Sequence, residues 1–188
     1  MHTKPTMKWT KEFCGQLIKL DLGIKWGCSA RVDIADPDLF DLMYGAGCRW
    51  VGFGVESGNQ QILDNMNKKI TPEMASKAIA MARQSGLWAN ATFIIGYTGE
   101  NEETFLDTAK FMKGNDVQND IFFAQAYPGT ELFRDHEYRI KNRFGSIGEY
   151  IKRLGDGKEL VMSFCDMVEE QLIYYRKKAM NGELWIIE

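Results

Sequence analysis

The sequence lacks any close pair of cysteines. Its four, Cys14, Cys28, Cys48 and Cys165, show no CxxC or CxxxC spacing. A local zinc or cluster-binding loop is therefore excluded, and reduced, mostly buried thiols are expected. Histidine is scarcer: His2 and His136 are too few and too isolated for a Ser-His-Asp triad or a zinc site. His136 reads as a surface helix residue. No apolar run approaches the roughly 18 residues of a membrane span. Met1–Thr6 lacks the apolar core of a signal peptide. Positive charge is not in excess: 23 Lys and Arg stand against 26 Asp and Glu, a net charge of −3. Bulk attraction to nucleic acid or anionic membrane is excluded. A cytoplasmic chain with neither kind of partner is expected.

What is present suits one globular domain. Of 188 residues, 45% are hydrophobic and 26% charged, ordinary for a soluble fold. A helix is predicted over 8–22, with Trp9, Phe13, Leu17 and Leu20 on one face and Gly23 as its stop. Ile24–Val32 reads as a strand rich in small residues, which permit close approach by a backbone or ligand. Asp36-Pro37-Asp38 opens a helix as cap, proline and first-turn acid, with Leu39, Leu42 and Met43 inward. A strand follows over Arg49–Val55, then a short helix over Asn59–Asn65. Thr71-Pro72-Glu73 starts a helix to about Ser85, with Met74, Ala78, Ile79 and Ala82 inward. Leu87–Gly96 reads as a strand buried on both faces at its end. Asn101 caps a helix that Gly114 ends, Asp120–Ala126 is another strand, and a short helix runs from Glu131 to near His136. A last helix spans 166–181.

This βα alternation predicts an α/β fold of four parallel strands with right-handed crossovers. The organised part covers 1–135, with 136–188 as a helical extension. Because a helix feeds the first strand, one apolar sheet edge has no partner within the sequence. Such an edge is a hazard and offers a route to self-association. Later residues, another chain or preceding residues would have to cover it, and preceding residues are the favoured reading.

The candidate site lies where strands end, since ligands of parallel α/β folds bind beyond the carboxyl ends of strands. Gly52-Phe53-Gly54-Val55-Glu56-Ser57-Gly58 nearly spells a dinucleotide fingerprint, but its first glycines fall inside the strand rather than in a turn. They serve equally to relieve crowding. Glu56 at the sheet mouth would accept hydrogen bonds from a ribose diol or an ammonium, and Ser57 would reach the same ligand. Alternatively, Glu56 pairs with Arg31 or Lys68. Arg31 beside Asp33 suits carboxylate recognition or an ordinary surface pair. In Ile94-Ile95-Gly96-Tyr97-Thr98-Gly99-Glu100, the apolar strand end would wall a flat base. Equally, Glu100 would be a helix N-terminal acid that complements the helix dipole. Phe122, Phe123 and Tyr127 are expected in the core.

Five stretches resemble the radical SAM enzyme family, in order and in spacing, from about residue 8 to 135. They are Ala30-Arg31-Val32-Asp33; Ala46-Gly47-Cys48 with Val51 to Asn59; Met66-Asn67-Lys68; Phe93 to Glu100; and Ala126-Tyr127-Pro128-Gly129-Thr130-Glu131-Leu132. The style is similar to members with a cobalamin-binding domain upstream, such as anaerobic magnesium-protoporphyrin monomethyl ester cyclase-like proteins. The resemblance implies a partial TIM-like (βα)6 barrel, of which these residues supply the third to sixth strands. It implies S-adenosyl-L-methionine across the strand ends: Glu56 and Ser57 at the ribose or amino end, Arg31 at the third-strand contact, Lys68 at the methionine carboxylate, and Ile94 and Gly96 at the adenine. Two departures stand out. Thr98 replaces a usual proline and should loosen its turn. Thr92 replaces a frequent glycine, and its methyl and hydroxyl would crowd or contact the adenosine.

The family's CxxxCxxC loop, whose thiolates hold a 4Fe-4S cluster, is missing. The resemblance therefore implies a piece of a longer iron-sulfur enzyme that cleaves S-adenosylmethionine reductively to a 5′-deoxyadenosyl radical. This piece would supply part of the cofactor pocket and would not turn over by itself. Cobalamin in the longer protein and the small-molecule substrate stay open. The alternatives are a cluster-free module that binds adenosine or S-adenosylmethionine, and a half-barrel that works only when paired with another chain.

Overall fold

The structure is a computed structural model, and it describes residues 3–117 and 120–186. In chain order it runs α1 (Thr3–Leu20), β1 (Trp26–Ala30), a 3-10 turn at Val32–Ile34, α2 (Pro37–Gly45), β2 (Cys48–Glu56) and α3 (Gln60–Asn65). Then come α4 (Pro72–Gln84), β3 (Trp88–Ile95), α5 (Glu102–Gly114), β4 (Asp120–Phe123), α6 (Glu131–Phe144), α7 (Ile147–Ile151), α8 (Glu169–Met180) and a closing 3-10 turn at Glu183–Ile186. The strands form one sheet in the order β1-β2-β3-β4, and every pair is parallel. This is the expected α/β architecture. Among the described residues, no helix is long and apolar enough to cross a membrane.

Strand periodicity sorts the sheet into two faces. Val51, Phe53 and Val55 of β2, Ala89, Ala91, Phe93 and Ile95 of β3, and Ile121 and Phe123 of β4 are buried. Aromatic contacts lock this face to the helices: Phe40 of α2 meets Phe53 edge-on at 6.2 Å, and Phe111 of α5 meets Phe93 at 6.0 Å. The other face carries Gly27, Ser29, Trp50, Gly52, Gly54, Glu56, Asn90, Thr92 and Ile94. Register aligns Gly27 with Trp50 and Trp88, Ser29 with Gly52 and Asn90, and Gly54 with Thr92 and Asp120. The Trp50 indole lies over two glycines. A Cβ on Gly27 would sit 2.5 Å from its ring, and one on Gly52 would sit 3.0 Å from it. Both glycines make room for that ring, Gly52 as the crowding reading expects. Trp88 beside it is 63% exposed.

Several boundaries and faces differ from expectation. α1 stops at Leu20, where Asp21 turns to φ +43°, and it rests on α2. Met7, Phe13, Cys14 and Leu17 reach the core, while Trp9 and Leu20 are exposed. β1 is shorter than predicted because Val32–Ile34 turns into 3-10 geometry. In α4, Ala75 rather than Met74 joins Ala78, Ile79 and Ala82 inside. β4 ends at Phe123. Tyr127 is exposed, and its hydroxyl lies within hydrogen-bond reach of two acceptors for its single proton, Gln125 Oε1 at 2.9 Å and the Gly155 carbonyl at 2.6 Å, so it is not a core residue.

The largest correction is α6, which runs through Phe144 instead of stopping near His136. Leu132, Phe133, His136 and Ile140 share one face and enter a second core with Ala124, Ala126, Tyr150, Met162 and Phe164. His136 is buried there, edge-on to Phe164 at 5.2 Å. Gly145, at φ +76°, is the actual stop. This second core joins residues on both sides of position 135. Met167, Leu172, Tyr175 and Ala179 enter the main core.

Late residues also cover one sheet edge. The Phe123 amide donates to the Gly157 carbonyl at 2.7 Å, and Arg176 Nε donates to the Ile121 carbonyl at 2.7 Å. The Arg176 guanidinium lies 5.0 Å from the centre of the Phe123 ring. At the opposite edge, β1 pairs with β2 alone among the described residues.

Candidate functional site

The end of β2 is built under strain. Glu56 has φ +72°, a left-handed conformation that costs a non-glycine residue about 1–2 kcal/mol. The pairing register shifts between Gly54 and Glu56, which re-aims the side chain. The Glu56 carboxylate lies back over the sheet face, and Oε1 sits 2.8 Å from where a Gly54 Cβ would be. It meets Lys68 Nζ at 2.7 Å. Lys68 in turn stands between Asn67 (φ +54°) and Lys69 (φ +53°). Three of the five non-glycine residues with positive φ among the described residues thus flank or form this one ion pair. Such clustering is typical of functional sites rather than of structural filler. The two side chains keep 17% and 33% of their exposure, so both charges are reachable from solvent.

Beside the pair lies a cleft of about 80 Å³ lined by Ala30, Arg31, Val32, Asp33, Gly54, Lys68 and Ile70. Arg31 does not pair with Glu56. It grips Asp33 with two bonds of 2.9 Å and is largely exposed. That grip holds the Asp33 carboxyl below the usual carboxylate range.

Ser57 faces the other way. It is fully buried, lies 3.1 Å from Thr108 Oγ1 and accepts the Asn59 amide at 3.1 Å. Gly58 is pressed against α5, where a Cβ would stand 2.6 Å from that of Phe111 and 2.8 Å from the Asp107 carbonyl oxygen. Ser57 and Gly58 therefore anchor the strand exit to α5.

Thr92 neighbours Gly54 in register, and its hydroxyl reaches the Phe53 carbonyl at a long 3.5 Å. Ile94, two residues on, packs partly against the second core. Gly96, at φ +93°, opens the following turn. That turn is not loose despite Thr98. Gly96 N–H donates to Glu100 Oε2 at 2.5 Å, Glu100 N–H to the Tyr97 carbonyl at 3.0 Å, and Asn65 Nδ2 to the Thr98 carbonyl at 3.0 Å. Glu100 is not an exposed dipole partner. It is fully buried, Asn101 caps α5 instead, and burial pushes the carboxyl up to about 8. Asn65 and Gly54 are the site residues that sequence reasoning missed. A glycine two residues before Glu56, on the same strand face, was the available signal for Gly54. Nothing local pointed to Asn65.

The thiols are free. Cys14 and Cys48 are buried, Cys28 and Cys165 partly so. Cys28 is pushed up, first by its side-chain hydrogen bond with Cys48 and then by burial, while Cys48 is lowered by the same hydrogen bond. Among the described residues, no group of three His, Cys, Asp or Glu side chains is arranged to hold a metal ion.

A family model described as the Radical SAM superfamily matches residues 4–112. The chain belongs to the radical SAM superfamily. It is 38% identical over 122 residues to the uncharacterized methyltransferase PH0819 of Pyrococcus horikoshii, covering 64% of this chain and 26% of that protein. It is 35% identical over 138 residues to the anaerobic magnesium-protoporphyrin IX monomethyl ester cyclase of Rubrivivax gelatinosus, covering 70% and 25%. Among solved structures, the radical S-adenosylmethionine methyltransferase TsrM of Kitasatospora setae, with cobalamin and a [4Fe-4S] cluster bound, superposes with a TM-score of 0.60. That match has 17% identity over 70% of this chain and 26% of TsrM, so it speaks to fold. This radical SAM chain spans about a quarter of the length of these curated relatives.

Proposed function

We propose that the Gly54–Glu56–Lys68 surface is part of the S-adenosylmethionine site of a longer radical SAM enzyme, an oxidoreductase or a transferase. The carrying observation is the Glu56–Lys68 pair, held at 2.7 Å by strained backbone on both sides. The methionine end of the cofactor is a zwitterion, and the pair offers one charge to each of its groups. The Lys68 ammonium suits the carboxylate. The Glu56 carboxylate suits the ammonium or a ribose hydroxyl. Gly54 lets both side chains lie flat on the sheet, so a ligand can approach the strand end. In this reading Ile94 and Gly96 border the adenine, Thr92 contacts the adenosine, and Arg31 guards the third-strand side of the cleft. Ser57 belongs to the site through the turn it fixes.

When bound beside a reduced four-iron cluster, S-adenosylmethionine supplies one-electron cleavage chemistry. The donor set described here does not fit the cluster, since it offers no group of three metal-holding side chains. Cluster ligands then belong to other parts of the protein, which agrees with relatives about four times longer than the matched region. Methyl transfer and cyclase chemistry are the outcomes that the named relatives suggest. Cobalamin, bound in the TsrM structure, is a second cofactor this reading extends to the longer protein.

The test is anaerobic reconstitution of the whole gene product with iron and sulfide, followed by reduction with S-adenosylmethionine present. Cluster absorbance and release of 5′-deoxyadenosine are expected. A protein that takes up no cluster and cleaves no cofactor contradicts the proposal.

A further inference from the structure

Glu100 takes no part in the ion-pair site, yet it is fully buried. Oε2 accepts the Gly96 amide at 2.5 Å, and Oε1 is buried without a hydrogen-bond partner among the described residues. A charged carboxylate with one bare oxygen away from water is the costliest state such a group can take. Among the described residues, no cation compensates it. The loop before α8 presents Cys165 and Asp166, and the Asp166 amide donates to the Glu100 carbonyl at 3.2 Å. Tyr97 lies in the same turn, and its backbone, like that of Gly96, works against the upward push of burial without cancelling it. α8 sets Leu172 against Gly96 and Tyr175 against Glu102. α3 contributes only the neutral Asn65, through the Thr98 carbonyl.

We propose that the Gly96–Glu100 turn is a proton-dependent latch, closed beneath the loop at 163–167 while Glu100 is a neutral acid and opened when that acid loses its proton to solvent. The proton sits on Oε1, because Oε2 already faces an N–H. Burial raises the folded carboxyl to about 8, whereas an unfolded glutamate titrates near 4.3, roughly its free value. The folded state therefore binds the extra proton across this window. The latch's stability is fully present below about pH 4.3 and is lost as pH rises through about 8. The latch needs no ligand. Its bearing on adenine binding rests on the cofactor reading above.

The experiment compares the full chain with Glu100→Gln, without cofactor, by thermal melting and by amide exchange at Gly96 corrected for intrinsic base catalysis. Between about pH 5 and about pH 9, the wild-type melting temperature should fall by roughly 5–10 °C, with faster opening at Gly96. The permanently neutral E100Q should lose most of that dependence. An equal fall in both proteins overturns the latch. Should E100Q fail to fold, infrared spectra of the wild type decide. A protonated-carboxyl band is expected at about pH 6.5, where ordinary acids are ionised, and should vanish by about pH 9. Absence of that band at about pH 6.5 overturns the proposal. Because no cofactor is used, a negative result leaves the S-adenosylmethionine reading intact, and failure of that reading leaves the melts unchanged.

Discussion

The Glu56 carboxylate and the Lys68 ammonium meet at 2.7 Å over the bare backbone of Gly54. A partly exposed pair of this kind adds at most about 1 kcal/mol to stability. The left-handed Glu56 and Lys69 cost about as much each, and Asn67, of a type that adopts this conformation readily, costs less. Stability does not explain the arrangement, and the proposed cofactor role would supply a reason for it.

Replacing Glu56 should separate strain from chemistry. Glu56→Gly relieves the φ of +72° while removing the ion pair. Its unfolding free energy should stay within about 1 kcal/mol of wild type. Glu56→Val, β-branched in the same conformation, should lose about 2 kcal/mol or more. Urea denaturation of the three proteins checks the order.

The two glycines flanking this region should respond differently to the same methyl group. At Gly54 the added Cβ meets the mobile end of Glu56, so Gly54→Ala should change stability by less than about 1 kcal/mol while displacing the carboxylate. At Gly58 it meets helix backbone and the Phe111 Cβ, and Gly58→Ala should cost about 3 kcal/mol. Melting curves of the two variants give the comparison.

Tyr150 fixes the chain beyond β4. Its buried hydroxyl accepts the Ala126 amide at 3.1 Å and donates to the Ala126 carbonyl at 3.0 Å. Tyr150→Phe leaves both backbone groups unpaired and should cost about 2–3 kcal/mol. Exchange of the Ala126 amide should rise more than that of Ile95 on β3.

The local signals were legible in the sequence. Asp36, Thr71 and Asn101 each accept the N3 amide of the helix they precede, as cap chemistry requires. The apolar runs of β2 and β3 lie in the sheet where periodicity put them. What escaped was set at long range. Ser57 looks like a ligand contact until Thr108, 51 positions away, claims its hydroxyl. Glu100 looks like a first-turn acid until the loop at 163–167 buries it. α6 hid its length because most of its residues are polar. Its inward stripe faces a second core whose other wall, Tyr150 to Phe164, comes later in the chain. Thr98 looked like a weak turn because its support, Asn65, lies 33 residues earlier.

The most direct measurement is the affinity of the reconstituted whole protein for S-adenosylmethionine, by anaerobic calorimetry, in four variants. Glu56→Gln, Lys68→Met and Gly54→Ala should each weaken binding by about tenfold or more, the loss of one charge-assisted contact. Ser57→Ala should cost about 1–2 kcal/mol of stability and leave affinity within about twofold. If all four variants bind like wild type, or if Ser57→Ala alone abolishes binding, the Gly54–Glu56–Lys68 surface is not the cofactor site.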